Sequence, residues 1–255
     1  MLSPKSPACV ICGMLGDRSP RHAEFPELCR HCFVQIPWIT RIYCAVCGRP
    51  EGCPDCTRRQ EAAFICNRSA VHYDPVIRQW LALYKYRGHE GLAPILGKML
   101  IPAYRGMIAQ QSAGSQTAFR FDAVIPVPVS DERLQERGFN QAERLASYLA
   151  EHEHLTVYDI LQRTRHSDKQ SFKTRLARLR DTKQLFAADL DATAEMLDTL
   201  NLNALHQPLI KLLVIDDIYT TGSTANSCAL ALTEGIEQLA PQINAQIFIL
   251  TLARS

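Results

Sequence analysis

The stretch Leu212 to Thr224, LLVIDDIYTTGST, decides how this chain is read. It opens with the apolar and β-branched residues Leu212 to Ile215, the composition of a parallel strand buried on both faces. Two adjacent carboxylates, Asp216 and Asp217, end the run. Ile218 and Tyr219 follow, then Thr220, Thr221, Gly222, Ser223 and Thr224. The pattern predicts a strand that passes through a tight loop into a helix over Ala225 to Leu239. Small hydroxyl residues and a Gly ahead of a helix N-terminus suit phosphate, because N–H groups, hydroxyls and the helix dipole converge on one anion. The Asp pair suits ribose hydroxyls, or a hard cation carried by a polyphosphate. Ligands of open α/β sheets collect at this edge. A solvated turn is the plain alternative. Two adjacent Asp at a strand end have no packing role, however, and the small residues after them are an odd choice for an ordinary turn.

This pattern resembles the signature of type I phosphoribosyltransferases, which bind 5-phosphoribosyl 1-diphosphate (PRPP). The resemblance implies that Asp216 and Asp217 contact the ribose hydroxyls, with Mg²⁺ accompanying PRPP. It implies that Thr220, Thr221, Gly222, Ser223 and Thr224 hold the 5′-phosphate. The fold it implies is α/β, a mostly parallel sheet flanked by helices.

The rest of the chain sets the bounds. At 255 residues, one large domain plus a small module is expected. Apolar residues make up 47% and charged residues 21%, which excludes a disordered or fibrous class. A net charge of +2 is too small to imply a nucleic-acid partner by itself. No apolar run approaches the length of a membrane span. The first residues, MLSPKSPACVICG, lack the apolar segment of a secretory signal, so the cytoplasm is the expected location.

Ten Cys are present, and eight form four Cys-x-x-Cys pairs: Cys9/Cys12, Cys29/Cys32, Cys44/Cys47 and Cys53/Cys56. A two-residue spacing lets both thiolates of a pair face one ion, and two pairs complete a tetrahedral four-sulfur site. Two structural zinc ions are expected in a module over residues 1–61, with the larger domain at 62–255. A single zinc, an iron–sulfur cluster or a redox pair are the competing readings. Sequential pairing groups the first four Cys and the last four, and an interleaved arrangement stays open. Such closed sites leave no position for catalysis. His22 and His31 are expected at the surface, and Cys66 and Cys228 as small buried hydrophobes.

Thr57 to Ala62 is polar and charged and reads as the boundary. Phe64 to Tyr73 is expected as a strand. Asp74-Pro75 should cap a helix that ends in Lys85-Tyr86-Arg87-Gly88. Lys85 and Arg87 are either ordinary C-terminal charges or a basic flap over a diphosphate. A second helix over Gly91 to Ala109 should break near Pro102, and Gln110 to Thr117 should be a loop. Phe121 to Val129 is expected as a strand closed by Pro126 and Pro128. The segment after it, Ser130 to Gln141, reads as a loop holding Arg133 and Arg137 four residues apart, with Asn140 capping a helix to about Glu151.

PVPVSDERLQERGFNQAERLA, residues 126–146, resembles the ComF family, which joins a double zinc ribbon to a phosphoribosyltransferase domain. The four cysteine pairs and Lys85-Tyr86-Arg87-Gly88 match as well. The resemblance implies that Ser130, Arg133 and Arg137 contact the diphosphate. It also implies a role in natural transformation, acting on incoming single-stranded DNA. Other competence proteins, such as a ComF-type helicase or a DNA-processing protein, are the partners it suggests. Gln162 to Lys183 holds eight Lys or Arg against two Asp. Lys173, Arg175, Arg178 and Arg180 form a candidate nucleic-acid face, or simply a solvated helix face. Asp181 departs from the family's usual Asn. Ala187 to Pro208 reads as an inserted loop with one short helix, and Ala245 to Leu252 as a closing strand. Two functions compete: a PRPP-dependent transferase acting on a nitrogenous acceptor, and a PRPP- or DNA-binding protein of DNA uptake. No separate general acid or base stands out.

Overall fold

The computed structural model describes residues 8–15, 21–53, 56, 62–86, 90–114, 118–164, 185–201 and 208–255. Among them a four-stranded parallel sheet runs in the order β1-β6-β5-β2. Its strands are β1 (Cys66–His72), β2 (Ala123–Pro126), β5 (Leu209–Tyr219) and β6 (Asn244–Arg254). The two long strands are central and apolar on both sides. Leu212 and Val214 face one core with Ile247 and Ile249, while Leu213 and Ile215 face the other with Phe248 and Leu250. That two-sided burial is why the run carries no polar alternation. Phe64 to Tyr73 and Ala245 to Leu252 were expected as strands, and β1 and β6 occupy those places.

Helices cover both faces. On one lie α2 (Pro75–Tyr86), α3 (Ala93–Ser112) and α5 (Gln141–Glu153), with Trp80, Leu81, Met99, Leu100 and Leu145 in the core. On the other lie α6 (Leu190–Thr199) and α7 (Ser223–Leu239), with Met196, Leu197 and Leu232. Asp74 begins α2 as expected, its Oδ1 accepting from the Ile77 N–H at 2.8 Å. Helix α3 corrects two expectations. It does not break near Pro102, and Gln110 to Ser112 is still helix rather than loop. Pro102 faces solvent, where the freed carbonyl can be hydrated. Beyond it, Tyr104 and Met107 are buried. Each contributes about 1.5–3 kcal/mol, which offsets the roughly 3 kcal/mol that a mid-helix proline costs.

The segment after β2 also differs. Asp131–Arg137 forms the short helix α4 instead of a loop, with Ser130 as its N-cap. Phe186–Ala188 (β4) pairs antiparallel with Leu161–Arg163 (β3), a ribbon that the sequence did not announce. Helix α6 supplies the short helix expected after Ala187, and residues 202–207 lie outside the described residues, as do 57–61, 87–89, 115–117 and 165–184.

The cysteine-rich N-terminal segment includes helix α1 (Arg30–Val34) and packs along β1. The Ile39 N–H donates to Ala70 O at 2.9 Å, His72 N–H to Pro37 O at 2.9 Å and Asn67 N–H to Val46 O at 2.6 Å. The edge of β1 is therefore covered. Phe25, Leu28 and Ile36 join the same core as Trp80 and Leu81.

Candidate functional site

Strand β5 does not end before the acid pair. It runs on through Asp216, Asp217 and Ile218 to Tyr219, paired with β6, whereas its pairing with β2 stops at Ile215. The flank of β5 that β2 leaves open is where the carboxylates sit. Gly222 then adopts φ +80° as N-cap of α7, a conformation that a side chain would strain. Thr221 Oγ1 and Ser223 Oγ lie 2.9 Å apart across the loop. A small cavity of about 50 Å³ is lined by Asp216 and by Thr220 to Thr224.

A second cleft of about 190 Å³ adjoins it, and Asp216 and Thr224 line both. Its wall carries Lys85, Arg133, Arg137 and Arg163 against Asp216 and Asp217. Four cations facing two carboxylates leave a net positive cleft, which favours an anion. Lys85, in the last turn of α2, makes an ion pair with Asp217. Asp216 Oδ1 accepts from the Asp217 N–H at 2.8 Å. Burial is the main cause that pushes the Asp216 carboxyl up, and the neighbouring Asp217 charge adds to it. The backbone N–H of Asp217 and the Lys85 ammonium pull the other way.

Of the expected diphosphate residues, Arg133 and Arg137 line this cleft and Ser130 does not. Arg133 is exposed on α4, and Ser130 Oγ accepts from its backbone N–H at 3.4 Å. Arg137 Nη1 donates to Gln141 Oε1 at 2.7 Å. Asn140 caps α5 as expected, with Oδ1 accepting from Ala142 N–H at 3.0 Å. Its Nδ2 donates to Val127 O at 3.1 Å, which fixes the proline-flanked turn to the helix.

The cysteines form two groups, Cys9/Cys12/Cys29/Cys32 and Cys44/Cys47/Cys53/Cys56, so pairing is sequential. Within each group all sulfurs lie within 4.8 Å of one another. Zn–S bonds of about 2.3 Å in a tetrahedron set sulfur separations near 3.8 Å. Cys12 and Cys29 are 3.8 Å apart, and Cys47 and Cys53 3.3 Å. Both groups are thus compatible with a zinc ion. The electrostatics agree. Burial opposes ionisation of Cys9, but N–H donors from Cys12, Cys29 and Ile11 outweigh it and bring the thiol down to about 6. Burial is likewise outweighed at Cys53, which falls to about 7. Burial and neighbouring thiols push Cys32 and Cys56 up. A dication among the four sulfurs of each group would hold all of them as thiolates, including Cys32 and Cys56. His22 and His31 are exposed and belong to neither group.

No protein-family model matches the chain. It is 29% identical over 217 residues to the competence protein ComFC of Bacillus subtilis, covering 82% of this chain and 78% of that protein. It is 24% identical to competence protein F of Haemophilus influenzae, over 91% of this chain and 93% of that one. The chain is thus similar to competence proteins of the ComF type. Another similar protein is the DNA utilization protein YhgH of Escherichia coli K12, 24% identical over 80% of this chain and 89% of that one. Among solved structures, an adenine phosphoribosyltransferase from Saccharomyces cerevisiae aligns with 17% identity and a TM-score of 0.30, over 61% of this chain and 68% of that one.

In this chain Asp216 and Asp217 of β5, Arg133 and Arg137 of α4 and the loop before α7 gather around two adjoining cavities. The proposed nucleic-acid residues Lys173, Arg175, Arg178 and Arg180 lie outside the described residues. Two contributors escaped the site assignment. Arg163 enters the cleft only because β3 pairs with β4, and its guanidinium lies 5.8 Å from the Phe186 ring. Its place in the basic stretch beginning at Gln162 was the available signal. Arg254 carries no such signal. Among the described residues no helix is long and apolar enough to cross a membrane.

Proposed function

We propose that this protein binds PRPP with Mg²⁺ in the paired cavities and acts in natural transformation, in the cytoplasm, on incoming single-stranded DNA. One observation carries the ligand half: Asp216 lines both the hydroxyl-rich loop cavity and the arginine-lined cleft. A ligand with phosphate at one end, ribose in the middle and diphosphate at the other matches that order of groups. Thr220 to Thr224 would take the 5′-phosphate, Asp216 and Asp217 the ribose hydroxyls, and Arg133, Arg137 and Arg163 the diphosphate. Mg²⁺ would supply charge neutralisation on the diphosphate. The competence and DNA-utilization relatives support the biological half.

Titration calorimetry tests the ligand directly. Wild type should bind Mg-PRPP, and the double variant Asp216→Asn/Asp217→Asn should lose at least about tenfold in affinity, the loss of two charge-assisted contacts. Binding unchanged in the double variant would remove the ribose assignment. A transferase is the second reading, supported by Arg133, Arg137 and Arg163 along the cleft, which could stabilise the charge of a leaving diphosphate. It requires diphosphate release with some nitrogenous base. A panel of purine and pyrimidine bases that releases none leaves a binding protein.

A further inference from the structure

Arg254 is near the end of β6, in register with His72 of β1 and with Tyr219 of β5. It is 3% exposed. Its Nη1 donates to the carbonyl oxygens of Tyr219 at 3.3 Å and Thr220 at 2.8 Å. Those two residues are the point where β5 turns into the hydroxyl loop. The guanidinium also lies over the Tyr219 ring, 4.7 Å from its centre. Its Nη2 donates to Cys47 Sγ at 3.8 Å, a sulfur of the second cysteine group. One side chain therefore holds the loop with one nitrogen and the cysteine group with the other.

The cysteine side of this link is fixed independently. Asn67 Nδ2 donates to Cys47 O at 3.0 Å. Gly48, at φ +70°, leaves room beside the Asn67 carbonyl, where an added Cβ would stand 2.5 Å from the oxygen. Tyr219 and Cys47 share the same core, together with Phe64. The first cysteine group is placed differently: Cys9, Cys29 and Cys32 pack in the other core with Phe25 and Leu28. A metal-bound sulfur keeps its negative charge, so an N–H from a guanidinium to it is a charge-assisted bond of the kind that tunes and holds a metal site.

We propose that Arg254 is a positioning residue that couples metal occupancy of the Cys44/Cys47/Cys53/Cys56 group to the order of the Thr220–Thr224 loop. Metal in this group holds Cys47 as a charged acceptor, Arg254 stays in place, and the carbonyls of Tyr219 and Thr220 set the loop. Loss of the metal releases that hold. By linkage, whatever binds the loop also stabilises the metal site. The first cysteine group is outside the coupling and serves as an internal control. The ligand half of this proposal rests on the phosphoribosyl reading above; the loop half does not.

The test uses the zinc-loaded full chain and two site-resolved measurements: alkylation of each cysteine by N-ethylmaleimide, and hydrogen exchange of peptides spanning residues 217–227. In Arg254→Met, the second cysteine group should alkylate about ten- to a hundredfold faster, the usual effect of losing a residue that supports a metal ligand. The first group should keep its wild-type rate, and residues 217–227 should exchange faster. Arg254→Lys keeps the charge without the fork and should fall between. Stripping zinc from the wild type with a chelator repeats the comparison without a variant and should speed exchange of the loop. Unchanged loop exchange after stripping, or equal acceleration of both cysteine groups in Arg254→Met, overturns the coupling. Adding Mg-PRPP separates the two readings. Wild type that binds PRPP with no protection of Cys44 to Cys56 sinks the reciprocal coupling and leaves the PRPP site standing. Failure to bind PRPP, with loop exchange still following zinc, sinks the phosphoribosyl reading and leaves the coupling intact.

Discussion

Asp216 sits where stability and ligand recognition oppose each other. Burial and the Asp217 charge raise its carboxyl above the ordinary 3.8, to about 8. A raised folded-state value means that the folded chain holds this proton more tightly than the unfolded chain does. Stability therefore falls as pH climbs from about 4 towards 8 and levels off above that. Asn cannot ionise and resembles the protonated carboxyl, so Asp216→Asn should stabilise the ligand-free protein. The gain should be small at pH 5 and larger at pH 8 by about 1 kcal/mol or more, read as melting temperatures of both proteins at the two pH values. A gain that is the same at both pH values would show that the carboxyl titrates at its ordinary value. Lys85 acts in the opposite sense, since its ion pair with Asp217 favours the charged pair. Lys85→Met should destabilise the chain and leave Asp217 facing Asp216 without its counter-charge. That loss should be greatest at high pH, where Asp216 ionises beside Asp217, and denaturant midpoints at pH 6 and pH 9 would reveal it. The adjacency of the two acids was readable in the sequence. The cost of placing them inside a strand that continues to Tyr219 was not, because the extension depends on pairing with β6.

At the level of elements, apolar runs and caps were the legible part. Leu212 to Ile215 announced the central strand because both faces of β5 are buried, and Asp74 and Asn140 announced helix starts through side chains that cap within three residues. What failed was long-range. Pro102 reads as a helix break by local rule, yet the burial of Tyr104 and Met107 carries α3 past it. Pro102 is exposed, so Pro102→Ala should restore the hydrogen bond to the Lys98 carbonyl and stabilise the protein by about 1–3 kcal/mol in chemical denaturation. The β3–β4 ribbon was illegible for a related reason. Three-residue strands carry no periodicity, and their pairing joins residues 161–163 to 186–188 across 165–184. Arg163 reaches the cleft through that pairing alone. Arg254 is the extreme case: a single Arg near the end of an apolar strand, whose partners Tyr219, Thr220 and Cys47 are 34 to 207 residues away in sequence.

Across the whole molecule, the cysteine segment is a structural layer of the sheet as well as the carrier of two four-cysteine groups compatible with zinc. Three backbone hydrogen bonds from Ile39, His72 and Asn67 close the β1 edge, and Phe25, Leu28 and Ile36 are buried against the helices on one face. Exposed strand edges are templates for association with other chains, and burying a side chain such as Phe25, Leu28 or Ile36 contributes about 1.5–3 kcal/mol. A chain cut to residues 62–255 loses both forms of cover. If the segment were an appendage, the truncated protein would keep the melting temperature and monomer fraction of the full chain. Because it closes the sheet, truncation should lower the melting temperature by at least about 5 °C and produce concentration-dependent oligomers in light scattering. Zinc removal should act in the same direction through the metal-dependent folding of the segment. It should also do so in two steps, one for each cysteine group. The group at Cys9 to Cys32 packs with the α2–α3 core and governs the cover on that face. The group at Cys44 to Cys56 touches Arg254 and governs the edge nearest the loop. Native mass spectrometry during chelation should therefore pass through a one-zinc species, and the fraction of oligomer should rise as the second ion leaves.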